Sequence, residues 1–145
     1  MSLPDGFAFA HDLRVRWSET DPQGIVFNAN YLLYADVAFT EYLRAAGYPF
    51  PMPMKDTGTD IFAVRSEVDF AGSARFDDML SIAVRTARIG RSSFTMAFEI
   101  RRDDDLLTAI RSTYVNAVPG EGARPLPADF VARIEAFEAV PPSRS

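Results

Sequence analysis

Residues 16–47 read RWSETDPQGIVFNANYLLYADVAFTEYLRAAG, and the second half of that stretch has the spacing of one amphipathic helix. Tyr31, Ala35, Ala38, Tyr42 and Ala46 fall on one stripe, with Leu32, Phe39 and Leu43 beside it. Apolar residues three and four apart bury a broad helical face. No proline interrupts Ala29–Ala46, and Gly47 stands where a left-handed C-terminal cap belongs. A helix of that length runs about 27 Å, the width of a small domain. Ahead of it come the turn Asp21-Pro22-Gln23-Gly24 and the apolar run Ile25-Val26-Phe27, with Asn28 or Asn30 as N-cap. The stretch thus holds a carboxylate, Asp21, a few residues before a helix N-terminus. The first N–H groups of a helix lack intrahelical acceptors and point outward. A carboxylate and free N–H groups together can do chemistry on a carbonyl.

Outward from this stretch, the period changes. Phe7–Trp17 alternates Leu13, Val15 and Trp17 against Arg14 and Arg16, a first strand leading into the Asp21 turn. Tyr48–Asp60, with three prolines and Gly58, reads as a loop. From there to Val118 the apolar period is two. Phe62, Val64, Ser66, Val68 and Phe70 form one alternating run; Leu80, Ile82, Val84 and Thr86 a second. Phe94, Met96, Phe98 and Ile100 form a third, and Leu106, Thr108, Ile110, Ser112 and Tyr114 a fourth. These predict four strands with one apolar face each. Gly90-Arg91 and Asp103-Asp104-Asp105 read as tight turns between the last three. Ala128–Phe137 predicts a short helix, and residues 138–145 a frayed tail.

The expected architecture is α+β, one domain over residues 1–145: strand, long helix, four strands in a meander, short helix. A single antiparallel sheet with one long helix must bury that helix against its apolar face. The opposite face carries Ala63, Ala83, Ala97 and Ala109, small enough to meet another subunit.

Composition narrows the function. The chain has no cysteine and one histidine, His11, which removes thiolate sites and argues against most zinc sites. A formal net charge of −5 with scattered arginines gives no support to nucleic-acid binding. The opening residues lack the pattern of a signal peptide and no run has the length of a membrane span, so a cytoplasmic protein is expected.

Val15-x-Trp17-x-Glu19-x-Asp21-x-x-Gly24-Ile25-Val26-Phe27-x-x-x-Tyr31 resembles the signature of the 4-hydroxybenzoyl-CoA thioesterase family of hotdog-fold acyl-CoA thioesterases. The resemblance is tightest over residues 13–47. It implies a hotdog fold, a curved five-stranded antiparallel sheet wrapped round the long helix. It implies dimers joined sheet edge to sheet edge, often paired again into homotetramers, with active sites at the subunit interface. It makes Asp21 the catalytic carboxylate and gives the backbone N–H of Asn28 to the thioester carbonyl. In the 4-hydroxybenzoyl branch an aspartate matching Asp36 resembles an acceptor for the substrate phenol. No cofactor is implied beyond the coenzyme A carried by substrate and product.

Physical chemistry allows those roles. A preorganised N–H stabilises the charge that a thioester carbonyl gains on attack. An ionised Asp21 could attack that carbonyl, giving an acyl-enzyme anhydride, or deprotonate a water. Asp21 is equally the residue that favours the first position of a type I turn before Pro22, and Asn28 is equally a cap. Many relatives carry histidine where this chain has Asn28, so a proton-transfer role for that side chain is not implied. Tyr31 and Gly24, with Phe39 and Phe62, are candidates for the substrate pocket, although aromatic stripes usually serve a core. Glu19 reads as a turn residue. Arg88 and Arg91 flank Gly90 beside Ser92, and Arg101 ends the next strand; guanidinium groups suit the phosphates of coenzyme A. Two other activities fit the fold less well: an enoyl-thioester hydratase, for which His11 lies in the wrong place, and a non-catalytic module binding acyl thioesters or partner proteins. An acyl carrier protein could replace coenzyme A as the thiol.

Overall fold

The computed structural model describes residues 3–49 and 57–145. In chain order the elements are β1 (Phe9–Arg14), a 3-10 turn (Trp17–Glu19), α1 (Asn30–Ala45), β2 (Asp60–Phe70), β3 (Met79–Ile89), β4 (Ser93–Arg102), β5 (Asp105–Val118), β6 (Gly122–Ala123), α2 (Ala128–Phe137) and β7 (Ser143–Arg144). The main sheet has the order β1-β3-β4-β5-β2 and these five strands pair antiparallel throughout. The expected loop over Tyr48–Asp60 falls largely outside the described residues.

Helix α1 lies across one face of this sheet. It buries Tyr31, Tyr34, Ala35, Ala38, Phe39, Tyr42 and Leu43 against Leu80, Ile82, Val84, Phe94, Met96, Phe98, Ile100 and Ile110. Leu32, expected beside the buried stripe, is 41% exposed, and Tyr34 takes its place in the core. The helix ends as expected: Gly47 has φ +89°, its N–H bonds the Arg44 carbonyl, and the Tyr48 N–H bonds that of Leu43. These are the two bonds of a Schellman cap. At the other end neither asparagine caps. Ala29 occupies the N-cap position with no side-chain bond, and the Asn30 side chain turns back to donate to the Glu19 carbonyl at 2.9 Å.

Three other expectations change. The four strands do not form a meander: β3, β4 and β5 do, but β2 pairs with β5 at the sheet edge. The segment between β2 and β3, residues 71–78, is longer than a hairpin loop, so it can carry the chain past two strands. A bulge at Val64 also breaks the alternation of β2. Ser66 and Val68 face the helix side, with Ser66 bonded to Ser112 at 2.8 Å, whereas Phe62 opposite Val115 turns to the other. Finally β1 stops at Arg14 rather than Trp17, because Val15 bonds the Asp77–Asp78 segment instead of β3.

The tail over 138–145, expected to fray, is held. Thr86 lies two residues past Val84, the last β3 residue that β1 pairs, and just before a bulge at Ala87; the Glu138 carboxylate accepts its N–H at 2.7 Å together with the Tyr42 hydroxyl. β7 then continues the sheet edge beyond β1 by pairing in parallel with Arg88 and Ile89.

Burial lifts the Glu138 carboxyl above the usual carboxylate range, against the opposing hydrogen bonds from Thr86 and Tyr42. Its second oxygen is buried with no partner among the described residues. A raised folded pKa means stability that is complete below about pH 4, the unfolded value, and is lost as pH rises through the folded one. Glu138→Gln keeps an acceptor without the charge. Its Tm should exceed that of the wild type at pH 8 and converge with it at pH 4; an equal difference at both pH values would contradict this account.

Candidate active site

The site grows from the turn at Asp21. Pro22 presets the second position, and Gly24 adopts φ +78° with open space where a Cβ would stand, so conformation rather than room demands glycine. The Gly24 N–H bonds the Asp21 carbonyl at 2.9 Å. The Asp21 Oδ1 atom accepts the Gln23 N–H at 2.8 Å; its other oxygen has no hydrogen-bond partner among the described residues. The turn reading of Asp21 is therefore realised with one oxygen and leaves the other for chemistry.

The chain then returns. Asp21 N–H bonds the Ile25 carbonyl, Val26 N–H that of Ala74, and Phe27 N–H that of Glu19. Asn28 and Ala29 follow, and α1 starts. The Phe27 carbonyl accepts from Asn30 and the Asn28 carbonyl from Tyr31, so the entry turn is tight and the Asn28 N–H has no acceptor among the described residues.

Asp21 and Asn28 line one cavity of about 360 Å³, closed by Phe27, Tyr31, Phe70, Gly72 and Ser73. Tyr31 meets Phe70 edge-on at 5.7 Å, and its hydroxyl accepts the Ala74 N–H at 2.9 Å, so the ring forms a wall while the hydroxyl is already engaged. Asp21 also borders a second cleft of about 490 Å³, with Gly24 and the exposed pair Trp17 and Phe76. A carboxylate between two clefts suits a substrate with two arms.

Electrostatics sharpen at Glu19. Burial alone would raise its pKa, but hydrogen bonds from the Arg16 side chain and N–H and from the Tyr34 hydroxyl outweigh it and hold the carboxyl below its ordinary range. The Tyr34 hydroxyl is correspondingly pushed up, by burial first and then by Glu19.

The other candidates separate. Asp36 is exposed on α1, outside the cavity, and lies close enough to Tyr114 that it adds to the burial which pushes that hydroxyl up to about 12. Phe39 stacks on Tyr114 in the core at 4.9 Å, and Phe62 is 42% exposed on β2; neither borders the cavity. Arg101 borders a third cavity of about 410 Å³ that shares Gly72 with the first. It already pairs with Glu99 at 2.6 Å. Arg88 donates to Thr95, Ser93 and Ser145. Arg91 and Ser92 stand at the opposite end of β4 from Arg101, about 30 Å away at 3.3 Å per residue. One chain does not bring Arg88, Arg91 or Ser92 to Asp21.

Sequence reasoning missed Phe70, Gly72 and Ser73. They follow β2 as an unremarkable Phe-Ala-Gly-Ser, and only the Tyr31–Ala74 and Val26–Ala74 bonds bring that segment against the Asp21 turn.

The thioesterase superfamily model matches residues 23–109, more than half of the chain. The chain belongs to the thioesterase superfamily. This thioesterase is a thioester hydrolase, as the family signature around Asp21 implied. It is 27% identical over 111 residues to the acyl-CoA thioesterase YbgC of Haemophilus influenzae, covering 77% of this chain and 79% of that protein. Its structure resembles a Thermus thermophilus thioesterase complexed with coenzyme A and zinc, with TM-score 0.81, 27% identity, and 95% and 99% of the two chains covered. It also resembles a 1,4-dihydroxy-2-naphthoyl-CoA thioesterase from Synechocystis, with TM-score 0.79, 21% identity, and 87% and 94% covered. The likeness to these thioesterases agrees with the expected hotdog fold. No helix is long and apolar enough to cross a membrane among the described residues.

Tyr31→Phe should leave the buried Ala74 N–H without its acceptor. The cost is about 1–3 kcal/mol, read as a lower urea midpoint at unchanged slope.

Proposed function

We propose that this thioesterase hydrolyses a small acyl-CoA to the free acid and coenzyme A, with Asp21 as the attacking or proton-accepting carboxylate and the Asn28 N–H as oxyanion donor. The observation that supports the reading is that Asp21 and Asn28 line one cavity at the start of α1, and that one Asp21 oxygen and the Asn28 N–H have no hydrogen-bond partner among the described residues. As the nucleophile, the free Asp21 oxygen adds to the thioester carbon, the carbonyl oxygen takes the negative charge at the Asn28 N–H, and the thiolate leaves. Water then splits the anhydride and restores the carboxylate. As the base, the same oxygen takes a proton from the water that attacks. Removing one oxyanion donor typically costs about 10²–10³ in rate, and the partial positive charge of the α1 N-terminus adds to it. Neither route calls on a metal or a further cofactor.

Gly24 and Tyr31 shape the walls beside the reacting carbon. The thiol arm would leave across Gly72 toward Arg101, whose guanidinium lies where a phosphate of coenzyme A can reach it. Arg88, Arg91 and Ser92 could serve the same nucleotide only from another subunit. Such a subunit has a natural place. β2 is a sheet edge with exposed Phe62 and Val64, and α1 beside it exposes Leu33 and Val37. Two copies joined through β2 would cover this surface, and a homodimer or a dimer of dimers follows.

Asp36 sits on that same surface, eight residues beyond Asn28. It lies outside the cavity of its own chain, so it would meet an acyl group only where two copies join; a hydroxylated aromatic acyl group is the substrate that such a carboxylate would favour, as an acceptor for its hydroxyl.

The test is thiol release from a panel of acyl-CoAs; the protein has no cysteine, so a thiol dye reports product alone. Asp21→Asn should lower kcat at least about 10²-fold, and Asp36→Asn should erode the preference for 4-hydroxybenzoyl- over benzoyl-CoA. Full activity of Asp21→Asn overturns the mechanism, and no turnover of any thioester by the wild type favours the non-catalytic module. Val64→Glu should convert the dimer to monomers by light scattering; a monomeric wild type overturns the assembly.

A further inference from the structure

The two reacting groups belong to one loop, residues 20–28, and both ends of that loop are fastened to Glu19. The Glu19 carbonyl accepts the Phe27 N–H at 3.0 Å and the Asn30 side-chain amide at 2.9 Å. Those two bonds hold the residues on either side of Asn28. The Glu19 carboxylate accepts the Arg16 N–H at 2.8 Å, the Arg16 guanidinium at 3.0 and 2.6 Å, and the Tyr34 hydroxyl at 3.0 Å. Tyr34 is 1% exposed on the first turns of α1. Glu19 therefore ties together the end of β1, the loop and the helix whose N-terminus supplies the oxyanion donor.

We propose that Glu19 is the positioning residue of this active site: its carboxylate, held by Arg16 and Tyr34, fixes in place the backbone carbonyl that takes the Phe27 N–H and the Asn30 amide, and so sets the distance between the Asp21 carboxylate and the Asn28 N–H. The proposal rests on the reading of Asp21 and Asn28 as the reacting pair. It extends that reading to a residue which touches no substrate and borders neither of the Asp21 clefts. The physical reason is that catalysis by a carboxylate and an oxyanion donor needs both at one carbonyl at once. A misplacement of about 1 Å can cost about 10²-fold in rate. The turn at Asp21 has its own bonds and would survive the loss of Glu19, and α1 is held by its buried face. What fails is their relative placement. A simple turn residue would need one or two local bonds; Glu19 makes contacts reaching from Arg16 to Tyr34, and its neighbours Ser18 and Thr20 make none to α1 among the described residues.

The experiment compares Glu19→Ala, Glu19→Gln, Asn30→Ala and Tyr34→Phe with the wild type, on whichever acyl-CoA the wild type hydrolyses fastest. Positioning predicts a fall in kcat of about 10–100-fold for Glu19→Ala, with KM changed less than about threefold because the cavity walls are untouched. Glu19→Gln should recover part of the rate, since its amide oxygen still accepts from Arg16 N–H and Tyr34. Asn30→Ala, which alters no buried side chain, guards against a Glu19 variant that does not fold and should lower kcat in the same way. Backbone amide exchange gives a readout independent of activity: the Phe27 N–H should exchange faster in Glu19→Ala and Asn30→Ala but not in Asp21→Asn. Wild-type kcat and exchange in both Glu19→Ala and Asn30→Ala would overturn the positioning role. Full activity in Asp21→Asn, with Phe27 exchange still raised by Glu19→Ala, would overturn the assignment of the reacting groups and leave the fastening intact.

Discussion

Everything in this chain depends on one helix covering one face of one sheet. α1 places Ala38, Tyr42 and Leu43 at zero exposure against Leu80, Ile82, Val84 and Ile100, themselves fully buried. Each such aliphatic or aromatic side chain contributes about 1.5–3 kcal/mol through burial, and no other element of comparable length shares the load. Ala35 and Ala38 are small, so the helix axis comes close to the strands. Once that axis is set by packing, the place where its N-terminus emerges is set too. Tyr31 reaches Phe70 at the end of β2 and Ala74 just beyond, and the 71–76 segment becomes the far wall of a cavity whose near wall is the Asp21 turn. The position of the helix N-terminus is a consequence of its buried middle.

The same constraint explains why the edge of the sheet is left incomplete. A single helix cannot cover five strands, and β2 lies at the sheet edge with most of its length exposed. Its residues Phe62, Val64 and Phe70 remain largely exposed, as do Leu33 and Val37 on the helix flank beside it. Charged residues blunt other parts of the strand: Arg65 pairs with Glu67 at 3.0 Å. Exposed apolar side chains gathered along an unpaired edge are a surface that a soluble fold ordinarily covers. The Asp36 carboxylate stands among them, which gives that surface a polar point of reference.

Much of this was legible in the sequence, and the exceptions share a cause. Periodicity located α1, β3, β4, β5 and α2 nearly to the residue, because burial on one face writes a period of 3.6 or 2 into the chain. The order of strands did not show, since β2 carries the same alternation whether it neighbours β3 or β5; only the length of residues 71–78 held a hint. The bulge at Val64 was invisible, and with it the true facing of Phe62; so was the docking of Glu138 on the stretch of β3 that β1 leaves unpaired. At the site, the turn and the helix start were visible, but Asn30 spends its side chain on Glu19 rather than on a cap. The arginines misled for a related reason. Whether a guanidinium is available to a phosphate depends on its existing partners: Arg101 pairs with Glu99 two residues back on the same face of β4, and Arg102 with Asp78 in a loop far away in sequence.

The rivalry between a structural and a chemical Asp21 dissolves on the same grounds. A carboxylate has two oxygens, and a turn needs one. Oδ1 bonded to Gln23 N–H restrains the side chain's torsions and leaves the other oxygen without a hydrogen-bond partner among the described residues. A side chain free of turn duties would sample several rotamers and lose the entropy of choosing one at each catalytic cycle. The turn sequence Asp-Pro-Gln-Gly thus preorganises the carboxylate, as the role proposed for Asp21 requires. Asn28 follows the same logic: the tight bonds from Asn30 to Phe27 and from Tyr31 to Asn28 use up carbonyls, not N–H groups. They leave the Asn28 N–H at the helix entrance without an acceptor among the described residues, in a residue that lines the same cavity as Asp21.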